Sequence, residues 1–103
     1  DMTSGSTGNS SRPQARSERL HETGRVIVTE WRLAPGAETG WHRHGYDYVV
    51  VCLTAGRLLA ETAAGNMETP LRFGQAYTRP EGVEHNIVNP GEEEFVFVEI
   101  ELK

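Results

Sequence analysis

Gly74-Gln75-Ala76-Tyr77-Thr78-Arg79-Pro80-Glu81-Gly82-Val83-Glu84-His85-Asn86-Ile87-Val88-Asn89 is the stretch on which the fold turns. It contains two short β-prone runs, residues 75–79 and 84–89, split by Pro80-Glu81-Gly82. Proline presets its own φ and glycine accepts positive φ, so the three residues between the runs read as a tight turn. The same punctuation recurs through the chain. Residues 24–33 alternate, with Ile27, Trp31 and Leu33 on one face and Glu30 and Arg32 on the other, until Pro35-Gly36 ends the run. Residues 46–53 are β-branched and aromatic, which suits a buried strand. Ala55-Gly56 leads into residues 57–62, and Gly65-Asn66 is a hairpin signal before residues 67–73. Residues 93–102 alternate again, with Val96, Val98, Ile100 and Leu102 opposite Phe95, Phe97 and Glu99. Short strands at this spacing, with no helical period, predict an all-β sandwich or barrel.

A chain of 103 residues carries one core. Residues 1–19 are polar and mildly basic, and they are expected to form an N-terminal tail ahead of a barrel domain over residues 20–103. Such a tail orders by docking on a neighbouring subunit, so a homodimer is expected. The net charge is −5 and the acid is concentrated in the body, which repels a phosphate backbone and argues against nucleic acid. One cysteine, Cys52, excludes an intrachain disulfide and suits a reducing compartment. No apolar run approaches a membrane span, and the first residues lack the layout of a secretory signal. A cytoplasmic protein is the resulting expectation.

His42 and His44 are one residue apart, which on an extended strand places both imidazoles on one face, about 7 Å apart along the chain. An isolated pair of this kind is common on protein surfaces. Here it follows Gly36 at a spacing of Gly-x5-His-x-His, and the later stretch reads Gly74-x5-Pro80-x-Gly82-x2-His85-x3-Asn89. These two segments resemble the paired motifs of the cupin superfamily in residue type and spacing, over residues 24–102. The resemblance implies a double-stranded β-helix, a jelly-roll barrel. Its lumen would hold one divalent transition metal ion (zinc, iron, nickel or manganese) on His42, His44 and His85. Within that family the segment from Glu38 to Val51 and the ending from Glu94 to Ile100 look like small single-domain bacterial members, a group that includes β-alanine degradation proteins.

The family usually adds a glutamate separated from the second histidine by three or four residues. Here Tyr48 and Val49 stand at those positions. Asp47 has the wrong strand parity, and Glu38 has the right parity but Gly40 intervenes. Tyr48 has lumen parity, as does Tyr46, and is read as a fourth ligand, a proton donor or a packed aromatic. Arg79 and Tyr77 share a face before Pro80, and the planar fork of Arg79 suits a substrate carboxylate. Tyr46, Tyr77 and Arg79 are therefore the expected substrate contacts. Cys52 reads as a small buried side chain and His21 as solvent-exposed. Three neutral ligands leave an ion with its full charge, which suits a small anionic metabolite. A metal-dependent enzyme leads this reading, with a non-catalytic binding module as the alternative.

Overall fold

The computed structural model describes residues 11–103. The strands are β1 (Arg16–Glu22), β2 (Val26–Leu33), β3 (His42–Arg43), β4 (Asp47–Cys52), β5 (Gly56–Thr62), β6 (Gly65–Leu71), β7 (Ala76–Arg79), β8 (Glu84–Val88) and β9 (Phe95–Leu102). They form a five-stranded sheet in the order β1-β2-β9-β4-β7 and a four-stranded sheet in the order β3-β8-β5-β6. Strands far apart in sequence lie side by side, β9 between β2 and β4, and β8 between β3 and β5. Every strand pairing is antiparallel. This is the crossover pattern of a jelly-roll barrel, a double-stranded β-helix. Among the described residues no helix is long and apolar enough to cross a membrane.

Register fixes which side chains face the interior, because directly opposed residues in an antiparallel pair point to the same side. Leu33 opposes Phe95, Trp31 opposes Phe97 and Thr29 opposes Glu99 across β2 and β9. Cys52, Val50 and Tyr48 oppose Phe97, Glu99 and Glu101 across β4 and β9. Leu33, Val50, Cys52, Phe95 and Phe97 are buried in the core with Leu58 and Leu71 from the facing sheet. Packing is tight where the sheets meet: a Cβ on Gly56 would lie 3.0 Å from the Phe95 ring. Asn89, the last residue of the motif, is 2% exposed. Its amide nitrogen donates to the carbonyls of Leu33 at 2.9 Å and Glu93 at 2.7 Å, and its oxygen accepts from the Gly91 N–H. One side chain thereby ties the end of β2 to the loop ahead of β9.

The expected boundary between tail and barrel falls inside a strand. Arg16 to Glu22 pair along β2, so residues 16–19, expected as tail, belong to the five-stranded sheet. The residues ahead of them are also engaged, with Gln14 bridged to Glu38 in parallel and Ala15 N–H donating to the Glu38 carbonyl at 2.8 Å. The remainder of the expected tail, residues 1–10, lies outside the described residues.

Candidate metal centre

β3 pairs with β8 so that His42 stands directly opposite His85. His44 follows the short strand, and its backbone is pinned to the proline–glycine turn. Its N–H donates to the Val83 carbonyl at 2.9 Å, and its carbonyl accepts from Gly82 N–H at 2.8 Å. Gly82 has φ +93°, a conformation that favours glycine, and Asp47 accepts the Glu81 N–H at 2.7 Å. The turn predicted from sequence thus holds one histidine from each motif in place, and Asp47 serves that turn.

The three imidazoles converge. His44 Nε2 lies 3.1 Å from His42 Nε2 and 3.2 Å from His85 Nε2. Burial, then the neighbouring His42, pushes the pKa values of His44 and His85 down to about 4, so both rings are neutral at physiological pH. His42 Nδ1 donates to the Gly40 carbonyl at 2.8 Å, which in the neutral ring leaves Nε2 as the acceptor. All three rings offer a ligand nitrogen within 4.8 Å of one another, and a single cation would satisfy them together where a proton bridges just one pair. In a tetrahedral site with metal–nitrogen bonds of about 2.0–2.1 Å, neighbouring nitrogens lie about 3.3 Å apart, close to the spacings here. The donor set fits a divalent transition metal ion.

The histidines sit at the wall of a cavity of about 660 Å³, whose lining includes His42, His85, Tyr48, Tyr77, Arg79, Trp31 and Glu99. Tyr48 points inward at 2% exposure, and its ring stacks on His44 with centroids 3.8 Å apart and planes at 19°. Burial and the nearby Glu99 push its pKa up to about 12, which keeps the phenol protonated. Arg79 stands opposite Tyr48, and Tyr77 opposite Val50, on the same inner face. Burial raises Tyr77 to about 12 as well. Tyr46 is elsewhere: it precedes β4, is 38% exposed and does not line the cavity. The parity argument breaks at Gly45, where the chain between His44 and Asp47 leaves the extended strand. Glu38 is also turned away from the cavity, hydrogen-bonded to Arg12, Gln14 and Asn86. Cys52 is fully buried, and burial pushes its thiol pKa up.

One residue of the site escaped the sequence reading. Glu99 of β9 reaches into the cavity, with Oε2 3.9 Å from His44 Nε2 and a side chain 12% exposed. At neutral pH this is no ion pair, because His44 is uncharged. Burial, then Glu101, pushes the Glu99 pKa up to about 7, while the Trp31 indole holds it down in part. The signal was present in the alternation: an acid sharing a face with Phe95 and Phe97 must either pay for its desolvation or find a cation.

A family profile described as a cupin domain matches residues 29–101, with both histidine motifs inside the match. The chain belongs to the cupin family. It is 60% identical over 94 residues to the β-alanine degradation protein BauB of Pseudomonas aeruginosa, covering 91% of this chain and 99% of that one. A cupin domain from Bordetella pertussis Tohama I superposes with a TM-score of 0.89 at 57% identity, covering 92% of this chain and 99% of the other. A double-stranded β-helix protein from Klebsiella pneumoniae gives a TM-score of 0.71 at 25% identity, covering 89% and 79%. For this cupin the resemblance read from the two motifs and the barrel read from the strand pattern therefore agree.

Proposed function

We propose that this cupin is a metal-dependent enzyme acting on a small anionic metabolite, with one divalent ion held by His42, His44 and His85. The convergence of the three imidazoles, with Nε2 contacts of 3.1 and 3.2 Å, on the wall of a cavity carries the reading. When bound by His42, His44 and His85, such an ion would supply Lewis acidity. Arg79 offers the guanidinium that binds and orients a carboxylate. Tyr48, protonated and beside His44, holds a proton at its hydroxyl for transfer to substrate. Glu99, within 4 Å of His44, supplies the carboxylate that the first motif lacks. The similarity to BauB supports a substrate from β-alanine breakdown, a short-chain carboxylate that this cavity would accommodate. A cytoplasmic setting accords with a lone, buried cysteine.

The experiment is a turnover screen of the metal-loaded protein against β-amino acids, small keto acids and thiols. Tyr48→Phe is expected to retain metal and lower kcat by roughly a hundred-fold or more. Arg79→Gln is expected mainly to raise KM. Tight ligand binding without turnover across the screen would instead identify a binding module, and an unchanged kcat in Tyr48→Phe would remove the tyrosine from the chemistry. The same proposal includes a homodimer formed through β1, the exposed edge strand of the larger sheet. Light scattering at micromolar concentration reads this directly, and a monomer overturns it.

A further inference from the structure

Behind the metal centre, on the outer face of the smaller sheet, four side chains form a network that the proposed chemistry does not use. His85 and Ile87 of β8 line the cavity, so Asn86 between them points to the opposite face. Asn86 is 2% exposed, and its amide is fully committed. Nδ2 donates to Glu38 Oε1 and to Glu61 Oε1, each at 2.9 Å, and Oδ1 accepts the Gly40 N–H at 2.9 Å. Two acceptors on one side and one donor on the other leave a single orientation of this amide. Glu38 and Glu61 therefore share one amide, and two carboxylates that close repel unless a cation joins them. Arg12 is that cation. Its guanidinium donates to Glu38 Oε1 at 3.1 Å and to both oxygens of Glu61 at 3.1 and 2.9 Å.

The network reaches the metal centre through backbone. Gly40 has φ +90°, and the residue whose N–H is held by Asn86 is the residue whose carbonyl accepts His42 Nδ1 at 2.8 Å. Thr39 braces the same carbonyl, donating its hydroxyl at 3.0 Å while accepting the Ile87 N–H at 3.2 Å. Every link from the arm to the histidine is a hydrogen bond of ordinary length. We propose that Arg12, in the segment ahead of β1, positions the metal-binding histidine His42 through the continuous chain Arg12–Glu38–Asn86–Gly40–His42. Engagement of the N-terminal arm then sets the orientation and tautomer of a metal ligand on the far side of the sheet. Disengagement leaves the two acids to repel, frees Asn86 and releases the Gly40 carbonyl from its fixed aim.

This inference rests on the metal reading for its consequence but not for its geometry, and two measurements separate them. Ring 15N chemical shifts of the metal-free protein report the His42 tautomer, and competition with a chelator reports zinc affinity. In the wild type, His42 is expected to be a single Nδ1-protonated tautomer. Arg12→Ala is expected to populate both tautomers and to weaken zinc binding by roughly ten-fold, the scale of an outer-shell change. Arg12→Lys keeps the charge and is expected to shift both readings the same way by less, and it carries the test should Arg12→Ala not fold. A lower melting temperature with tautomer and affinity both unchanged overturns the proposal, leaving Arg12 as a structural clamp. A wild type that binds no zinc defeats the proposed function, while the His42 tautomer still decides the chain.

Discussion

Replacing His44 by phenylalanine is expected to lower metal affinity by roughly a hundred- to a thousand-fold while the barrel stays folded. His44 is the hub of the cluster, the nitrogen within 3.2 Å of both others. A four-ligand zinc site contributes about 10–16 kcal/mol, or about 3 kcal/mol per ligand, and about 1.4 kcal/mol is ten-fold in affinity. Phenylalanine keeps an aromatic ring that can stack on Tyr48 while removing both ring nitrogens, so unchanged thermal unfolding of the metal-free variant separates loss of a ligand from loss of packing. Isothermal titration with zinc and thermal unfolding of the metal-free protein are the paired measurements. Near-wild-type affinity in this variant would mean that the ion, if bound, sits elsewhere.

Glu99→Gln is expected to act in opposite directions on the two forms of the protein. In the metal-free form the Glu99 pKa is raised from 4.5 to about 7. A raised acid pKa favours the fold below 4.5, and that advantage is lost as pH climbs through 7, where a buried charge must form. Glutamine removes the penalty, so the metal-free variant is expected to be more stable than wild type at pH 8, by about 1–3 kcal/mol. The ionised carboxylate also faces the metal centre, so the same variant is expected to bind zinc about ten- to a hundred-fold more weakly. His44 and His85 have the reverse linkage. Their pKa values fall from 6.5 to about 4, so their contribution is full above 6.5 and is lost as pH drops towards 4. Between pH 4.5 and 6.5 two histidines oppose one glutamate, leaving a net slope of about 1.4 kcal/mol per pH unit in favour of higher pH. Metal-free wild type should therefore gain stability up to about pH 6.5–7 and level off above it, and Glu99→Gln should roughly double the slope between pH 4.5 and 6.5. Urea unfolding midpoints from pH 4.5 to 8 test this; parallel curves for the two proteins would show that Glu99 is not a desolvated acid.

The fold was legible because its punctuation is local. Pro80 and Gly82 make the turn, Gly65 and Asn66 make the hairpin, and inner-face alternation runs through β2, β4 and β9. β1 was not legible, since every residue of Arg16–Glu22 is exposed and no apolar period marks it. Its strand state comes from pairing with β2, a tertiary contact that local propensity does not encode. β3 is only two residues long, too short for any periodic signal. Among the candidate residues, the clustering of His42, His44 and His85 and the placement of Tyr48, Tyr77 and Arg79 on the cavity wall were reached by motif and parity, and parity failed for Tyr46 where Gly45 bends the chain. Glu99 was legible in principle as an acid sharing a strand face with Phe95 and Phe97. The Arg12 network carries no local signal, because its partners lie 26 and 49 residues away and meet only when the sheets close.

One divalent ion is proposed to occupy the point where the three imidazoles meet. Elemental analysis of zinc-reconstituted protein, together with anomalous diffraction at the zinc edge, tests it most directly. Close to one zinc per chain and a single anomalous peak about 2 Å from Nε2 of His42, His44 and His85 are expected. Reconstituted protein without metal, or a peak away from those three nitrogens, would contradict it.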